Sequence, residues 1–213
     1  MDVNTVNIYG RIPPMTGTYH HGALHQAILD AAVEEARRSG PQGVQVRALA
    51  KTVGVSPAAV YRHVPSIDAL LAEVAQVVRE RLAVRLTEER DRTPTRRTRK
   101  ATALDRFGCI GRGYVEFALA EPHLFDTAFT PTTGCTTRPD DPSPWEVLMN
   151  GIRELVDAGV VPPDQADRAA LIAWAGVHGI SSILVRQAAV GPIDSSEAID
   201  TVLDGILRSI ETL

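Results

Sequence analysis

Cysteine is scarce in this sequence, and its scarcity excludes several kinds of protein. The 213 residues include two cysteines, Cys109 and Cys135, which form neither a disulfide framework nor the paired spacing of a zinc site. No positively charged segment followed by an apolar run stands at the N-terminus, so we expect no signal peptide. The sequence therefore favours a cytoplasmic protein that needs no metal and no cofactor.

Long hydrophobic runs are also lacking. The most apolar stretch, Leu171 to Leu184, contains no charged residue but is shorter than the roughly 18 residues that a membrane-spanning helix needs. We therefore predict a buried helix there and no membrane association. Hydrophobic residues at 44% and charged residues at 23% are ordinary values for a globular chain, which excludes a disordered protein.

Charges of opposite sign gather in the two halves of the chain. Residues 1–100 carry 15 Lys or Arg and 10 Asp or Glu, whereas residues 101–213 carry 7 and 16. A basic half joined to an acidic half predicts that the first half meets a polyanion. The basic run Arg92 to Lys100 lies at the junction, and we interpret it as a solvated connector in preference to a nucleic-acid contact.

Apolar residues recur at helical spacing along nearly the whole chain, and no long strand-like alternation of apolar and polar residues appears. The pattern predicts an all-α protein. Residues 1–17 lack periodicity and are expected to form a flexible arm. In the second half, helices are expected near 101–120, 121–129, 144–158, 164–190 and 195–212, with an irregular insert after the second of them.

The stretch GVSPAAVYRHV, from Gly54 to Val64, predicts a short helix after a tight turn. Ser56 suits the N-cap and Pro57 the first helical position, and the following Pro65 halts the helix. A second short helix ends at Gly54, because glycine permits the left-handed backbone that such a turn requires. Together these features predict a helix-turn-helix.

The exposed face of the second helix in this motif has a composition suited to DNA. With Val60 turned inward, the opposite face presents small residues that permit close approach to the major groove, an arginine that can pair with guanine, and groups that reach phosphates. These expected contact residues are Pro57, Ala58, Ala59, Tyr61, Arg62 and His63.

The segment VRALAKTVGVSPAAVYRHVPSIDALLAEV, with the upstream YHHGALHQAILDAA, resembles the N-terminal domain of TetR-family transcriptional regulators. The resemblance implies a homodimer that binds a near-palindromic double-stranded DNA operator, acts most often as a repressor, and responds to a small-molecule effector. It adds Gln45 and Arg47 to the expected DNA contacts. Where the family usually has Ser-Lys at the start of its fourth helix, this chain has Ser66-Ile67 and lacks the phosphate-binding lysine.

This resemblance divides the chain into four segments. They are the flexible arm over 1–17, a helix-turn-helix DNA-binding domain over 18–65, a linking helix and basic connector over 66–100, and a helical ligand-binding and dimerisation domain over 101–213. In the last segment, GRGYVEFALAEPHLFDTAF and AWAGVHGISSILV resemble a TetR-type C-terminal domain named for a Trp-His-Gly signature.

The effector is expected to bind among the helices of the second half. The candidate lining residues are Cys109, Arg112, Tyr114, Phe117, Phe125, Trp145, Met149, Trp174 and His178. Gly108, Gly111 and Gly113 either leave room for a ligand or permit helices to cross closely, and the sequence leaves both explanations open.

Apolar stripes on the last two helices are expected to pack against those of a second subunit as a four-helix bundle. The stripe residues are Ala169, Ile172, Gly176, Ile180 and Ile183 on one helix and Ile199, Val202, Leu203, Ile206 and Ile210 on the other.

Two other functions receive little support. His21 and His25 have the helical spacing of a metal pair but no third ligand, and Cys109 has no recognisable catalytic partner motif, so we expect neither a metal site nor an enzyme. The main alternative to a regulator is a helical small-molecule-binding or interaction protein with a vestigial helix-turn-helix, which Ile67 and the acidic second half would favour.

Overall fold

The computed structural model describes residues 18–131, 142–186 and 194–213. Within these ranges the chain forms α-helices and two short 3-10 turns, and no strand occurs among them, which confirms the all-α prediction. The arm over 1–17, Cys135 and most of the insert after the sixth helix lie outside the described residues. The helices are α1 (Thr18–Ser39), α2 (Val46–Val53), α3 (Pro57–His63), α4 (Ile67–Arg92), α5 (Arg99–Ala120), α6 (Pro122–Phe129), α7 (Pro144–Asp157), α8 (Ala166–Val185) and α9 (Ser195–Glu211).

Helices α1 to α3 and the start of α4 enclose a small apolar core. Each contributes one buried stripe at helical spacing, with the opposite face left to solvent. The core residues that are at most 3% exposed in this unit are Ile28, Ala32, Val33, Ala36, Val44, Leu49, Ala50, Val60, Val64, Leu70 and Val74. The unit therefore holds α2 and α3 in a fixed relative orientation.

The turn between α2 and α3 has the geometry that the sequence predicts. Gly54 adopts φ 77° and ψ 32°, the left-handed conformation, and its N–H donates to the carbonyl of Ala50. Ser56 then caps α3, because its side-chain oxygen accepts a hydrogen bond of 3.2 Å from the N–H of Ala59. The helix ends at His63, before Val64 and Pro65. These contacts confirm the helix-turn-helix.

Replacing Gly54 by alanine should lower the free energy of unfolding by about 1 kcal/mol, because a Cβ is disfavoured in the left-handed region. The site itself has space, since a Cβ there would meet nothing within 4 Å, so the loss reports backbone strain alone. Gly205→Ala is the matched control: it lies inside α9 with equal space and no positive φ, and should be neutral or stabilising by up to about 1 kcal/mol. Urea unfolding measures both, and equal values for the two variants would contradict the assignment.

Helix α4 connects the N-terminal unit to the rest of the chain. Ser66 caps it by accepting a hydrogen bond of 3.0 Å from Ala69 N–H, as predicted. The helix has 26 residues and is therefore about 39 Å long. Its first half packs on α1, and its length also contacts α5, α6 and α7. The basic connector that follows is folded, because the N–H of Arg96 donates to Thr102 Oγ1 at 2.9 Å and its guanidinium pairs with Asp105.

The three glycines of α5 differ in their surroundings. Two of them permit helices to cross closely, and the third borders open space. A Cβ on Gly111 would lie 2.8 Å from Leu203 of α9, and one on Gly113 would overlap Glu89 of α4, so these two permit close helix crossings. A Cβ on Gly108 would meet nothing within 4 Å, and this residue borders a cavity.

The apolar stripe of α9 faces its own chain, not a partner, and this corrects the predicted arrangement. Ile199, Leu203, Ile206 and Ile210 are at most 7% exposed, and Ile206 lies so close to Gly176 that a Cβ there would be 2.6 Å from it. On α8, Ala169 and Ile180 are likewise buried, and the exposed apolar residues are Leu171 at 63% and Ile183 at 42%.

Helix α8 ends at Val185, five residues before the predicted end, and residues 187–193 lie outside the described ranges. Together with the preceding 3-10 turn it forms the stretch Pro163–Val185, which by length and composition alone could cross a membrane. The sequence analysis, in contrast, predicts that the apolar run is too short to do so. Core helices of soluble proteins pass the same test, and one face of α8 is buried against its own chain.

Candidate DNA-binding surface and effector cavity

The outer face of α3 is an exposed surface of the kind that the sequence predicts. Pro57, Ala58, Tyr61 and Arg62 are exposed and His63 is half-buried. Tyr61 is 56% exposed although it is a large aromatic residue, so packing within the described part of the chain does not account for it. Small residues at the start of the helix and larger polar ones at its end leave room for close approach to a groove.

Ala59 does not belong to this face, and here the prediction was wrong. The residue is 8% exposed and lies beside the fully buried Val60. With 100° between successive residues, two consecutive positions of a short helix share its inner side when the helix sits deep in its neighbours. The exposed residues expected on α3 are therefore the other five, and contact of Ala59 with DNA stays a prediction.

Helix α2 contributes the second part of the surface. Gln45 and Arg47 are exposed, as the resemblance requires, and so is Lys51, one turn after Arg47 on the same side of the helix. Within the described part of the chain, Arg47, Lys51 and Arg62 form no ion pair with a carboxylate. Lys51 was missed by the sequence reasoning, although its i+4 spacing from Arg47 could have indicated it. We call these exposed residues of α2 and α3 the recognition surface.

Ile67, which replaces the family's lysine at the start of α4, is half-buried and packs against the apolar core. It therefore has a structural role in place of a phosphate contact.

An apolar cavity lies in the second half of the chain, between α4, α5, α7, α8 and α9. It encloses about 30 Å³, which is enough for roughly one or two water molecules. Its lining residues are Leu86, Phe107, Gly108, Ile110, Gly111, Tyr114, Pro144, Leu148, Ala173, Trp174, Val177, Leu203, Ile206 and Leu207.

The predicted lining residues are only partly brought together. Tyr114 and Trp174 line the cavity, while Cys109 and Arg112 lie in a neighbouring polar cleft that shares Gly108, Leu203 and Leu207 with it. The remaining predicted residues stand outside the lining: Phe117 is buried, Met149 packs on the core, Trp145 is 44% exposed, and the rings of Phe125 and His178 lie next to that of Tyr114.

Tyr114 and His178 form the polar element beside this cavity. The hydroxyl of Tyr114 lies 2.9 Å from Nδ1 of His178. Burial raises the pKa of the Tyr114 hydroxyl far above its usual range and lowers the pKa of His178. At neutral pH the hydroxyl therefore keeps its proton and the imidazole is neutral, and the two groups share one hydrogen bond.

Aromatic rings surround this hydrogen bond. The imidazole of His178 stacks on Trp174 with centroids 5.7 Å apart and an interplanar angle of 5°. Phe125 and Phe129, both on α6, approach the same ring at 5.4 Å and 5.1 Å. One face of α6 thus borders the aromatic cluster next to the cavity.

The other side of α6 contacts the N-terminal unit and α4. Arg79 on α4 donates a hydrogen bond of 2.7 Å to the carbonyl of Ala128, and Arg37 at the end of α1 lies 3.3 Å from Glu121, the residue before α6. A displacement of α6 would therefore act on both α1 and α4.

His21 and His25 have the spacing of a metal pair, but the sequence predicts no metal site there, and the side chain of His21 lies outside the described residues. His25 contacts Glu73 and a backbone carbonyl, and within the described part of the chain no three His, Cys, Asp or Glu residues are placed to hold a metal ion.

Comparison with known proteins agrees with this architecture. Residues 28–74 match the family model of bacterial regulatory proteins, tetR family, and residues 109–206 match that of the tetracyclin repressor-like C-terminal domain. The chain is 26% identical over 195 residues to the uncharacterized HTH-type transcriptional regulator YobS of Bacillus subtilis (strain 168), covering 87% of this chain and 94% of that one.

Solved structures share the fold. A protein with unknown function from Rhodococcus sp. RHA1 superposes with a TM-score of 0.71 at 26% identity, over 91% of this chain and 98% of that chain. The regulator FadR from Bacillus subtilis, in complex with stearoyl-CoA, gives a TM-score of 0.65 at 15% identity over 86% and 97%. The two family models together cover more than half of the sequence, and the chain belongs to the TetR family of DNA-binding transcriptional regulators.

Proposed function

We propose that this regulator is a cytoplasmic, homodimeric repressor that binds a near-palindromic operator through the recognition surface and leaves it when an effector enters the apolar cavity. The observation that carries the DNA contact is the composition of exposed α3: a 56% exposed Tyr61 beside Arg62. In this scheme Arg62 reads a base edge, because arginine pairs bidentately with guanine. Tyr61, Arg47 and Lys51 bind phosphates and fix the register.

A twofold dimer would place two such surfaces on one side of the molecule. The exposed apolar residues Leu171 and Ile183 lie about 3.3 turns apart on α8, and Ala175 between them is also exposed. This face is the natural site for a second copy, because burying it on both protomers removes apolar surface from water. Two recognition helices about 34–36 Å apart then meet successive major grooves.

The effector is a largely apolar molecule with a hydrogen-bonding group for Tyr114. The cavity lining supports this class, since the hydroxyl of Tyr114 is its main polar group. The neighbour FadR was solved with stearoyl-CoA, which makes long-chain acyl compounds the first to test. Because the cavity encloses only about 30 Å³, such a ligand acts by spreading the helices.

Helix α6 transmits this displacement in the proposed mechanism. Phe125 and Phe129 border the aromatic cluster, while Arg79 and Arg37 join the other side of α6 and its N-terminal end to α4 and α1. A shift of α6 changes the distance between the two recognition surfaces and weakens operator binding. A hundredfold loss needs about 2.7 kcal/mol of difference in effector affinity between the two states.

Selection of bound duplexes from a random pool at near-physiological salt tests the DNA function. We expect enrichment of an inverted repeat whose half-sites are one helical turn apart. Enrichment of a single half-site would contradict the dimeric arrangement. Absence of any enrichment would contradict sequence-specific binding and favour the vestigial helix-turn-helix.

Gly108→Leu tests the cavity. The new side chain should fill the space beside Tyr114, so that acyl compounds bind at least tenfold more weakly while operator affinity is kept. Binding is followed by the combined fluorescence of Trp145 and Trp174 during titration with stearoyl-CoA and with free fatty acids of several lengths. Gly205→Leu, on the outer side of α9 with nothing within 4 Å, is the control. Equal affinities for the two variants would place the effector elsewhere.

A further inference from the structure

A second cleft lies where the basic connector meets the start of α5 and the end of α7. Its volume is about 460 Å³, which is within the range of pockets that hold small molecules. Four arginines and two carboxylic acids belong to its lining: Arg96, Arg97, Arg99, Arg106, Glu154 and Asp157. Unlike the apolar cavity, this cleft is therefore polar and positively charged. We call it the basic cleft.

The carboxylates of the basic cleft compensate its positive charge only in part. Glu154 lies 3.7 Å from a guanidinium nitrogen of Arg106 and 3.5 Å from one of Arg90. Both distances exceed the usual range of a hydrogen bond, so one carboxylate is divided loosely between two arginines. Arg97 and Arg99 are exposed, and within the described part of the chain neither forms an ion pair with a carboxylate.

Hydrogen-bond donors at the basic cleft are also incompletely paired. The Nε of Arg106 is buried, and no acceptor contacts it among the described residues, which is rare for a buried donor in a folded protein. Helix α5 begins at this cleft with Thr98 as its cap and no acidic side chain in its first turn. Because the first N–H groups of a helix have no partner within the helix, its N-terminal end adds to the positive potential.

The basic cleft is distant from the recognition surface and separate from the effector cavity. Helix α4 begins beside α3 and runs for about 39 Å to the connector, so the cleft and the recognition surface lie at opposite ends of that helix. Phe107 and Ile110, which line the apolar cavity, pack on Gly151 of α7, where a Cβ would lie 3.0 Å and 3.2 Å from them. Packed side chains therefore separate the cavity from the cleft.

We propose that the basic cleft is a second binding site, which takes the phosphate groups of a small solute, either a nucleotide or an inorganic diphosphate. A planar guanidinium can donate two parallel hydrogen bonds to phosphate oxygens, and Arg97 and Arg99 have no carboxylate that competes for them. An anion that also accepts from Arg106 supplies the close partner that Glu154 does not. The bound anion joins the connector to α5 and α7 and stabilises the folded chain.

Isothermal titration of the full chain with sodium pyrophosphate, without added metal ions, tests the site. Arg97→Gln/Arg99→Gln should weaken binding at least about tenfold, because two charge-assisted hydrogen-bond partners are lost. Asp157→Asn should strengthen binding by about twofold or more, because it removes a like charge from the lining. The control Arg81→Gln/Arg168→Gln makes the same change of charge at exposed arginines outside the lining and should bind as the wild type does. Equal affinities of the two double variants would overturn the assignment.

ATP and adenosine distinguish the two sources of phosphate. Pyrophosphate and ATP should both bind, and adenosine should not, because the cleft recognises phosphate groups. An affinity for ATP at least about tenfold above that for pyrophosphate identifies a nucleotide as the ligand, whereas similar affinities identify a diphosphate. Binding of adenosine, or no binding of either phosphate compound, would overturn the proposal.

Two further measurements separate this site from the others. Gly108→Leu should leave the affinity for pyrophosphate unchanged, and a loss there would assign the anion to the effector cavity instead. Arg97→Gln/Arg99→Gln should keep the wild-type affinity for the selected duplex and its dependence on salt. A weaker salt dependence would assign these arginines to DNA phosphates and overturn the proposal.

Discussion

Replacing Ala58 by glutamate should abolish operator binding, with a loss of at least about a hundredfold in affinity. Ala58 is exposed at the second position of α3, where the backbone of a recognition helix comes closest to the groove. A longer side chain prevents that approach, and its carboxylate is repelled by the phosphates. The fold should remain intact, because the position faces solvent.

Fluorescence anisotropy with the selected duplex measures this loss, and circular dichroism checks the fold. Ala120→Glu is the matched control, since it makes the same substitution at an exposed helical alanine of the effector domain. It should bind the duplex as the wild type does. Retention of affinity within a factor of three in Ala58→Glu would mean that α3 is not the helix that enters the groove.

The second large effect is expected at the dimer face. Leu171 is 63% exposed, and in the proposed dimer each copy buries it against the partner. Leu171→Arg removes about 2 kcal/mol of apolar burial per protomer and brings two like charges together across the axis. We therefore expect the dissociation constant of the dimer to rise at least a hundredfold. Operator affinity should fall with it, because a monomer contacts one half-site.

Sedimentation velocity across a range of protein concentrations measures this change. Val84→Arg is the control, because Val84 is a comparably exposed apolar residue, at 51%, on α4 and not on α8. The control should remain dimeric. A dimeric Leu171→Arg that still binds the full inverted repeat would show that the subunits meet elsewhere.

The helix-turn-helix was predictable because its determinants are local. Gly54 sets the turn, Ser56 and Ser66 cap the next two helices, and Pro65 ends one of them. Each acts through hydrogen bonds or backbone dihedrals within four residues of itself, so the sequence alone places the boundaries. Ala59 was misplaced because its burial depends on how deeply α3 sits against α1, a distance that no local rule supplies.

An apolar cavity lies in the half of the chain where effector binding is predicted, but most of the predicted lining residues do not border it. Large and polar residues were favoured as candidates, yet the wall is formed mainly by aliphatic residues such as Ile110, Leu148 and Val177. Aliphatic residues that border a cavity and those that fill the core recur in the sequence at the same helical spacing. Only the crossing geometry of the helices, set by Gly111 and Gly176 against α9, distinguishes them.

Periodicity also cannot show which surface covers a buried helix face, and this explains why the apolar stripe of α9 was wrongly predicted to pack against a second subunit. The stripe indicates a buried face, but not whether the covering surface comes from the same chain or from another. Gly176 resolves the question in the structure, because its lack of a side chain brings Ile206 of the same chain onto α8.

The most direct test of a phosphate-binding recognition surface is the salt dependence of its affinity for the selected duplex. If Arg47 and Lys51 of both protomers each neutralise a phosphate, the logarithm of the association constant should fall with the logarithm of salt concentration with a slope of about −3.6. Lys51→Ala should reduce that slope by about two, because two contacts are lost per dimer. A slope near zero, or one that Lys51→Ala leaves unchanged, would contradict the assignment of this surface to DNA.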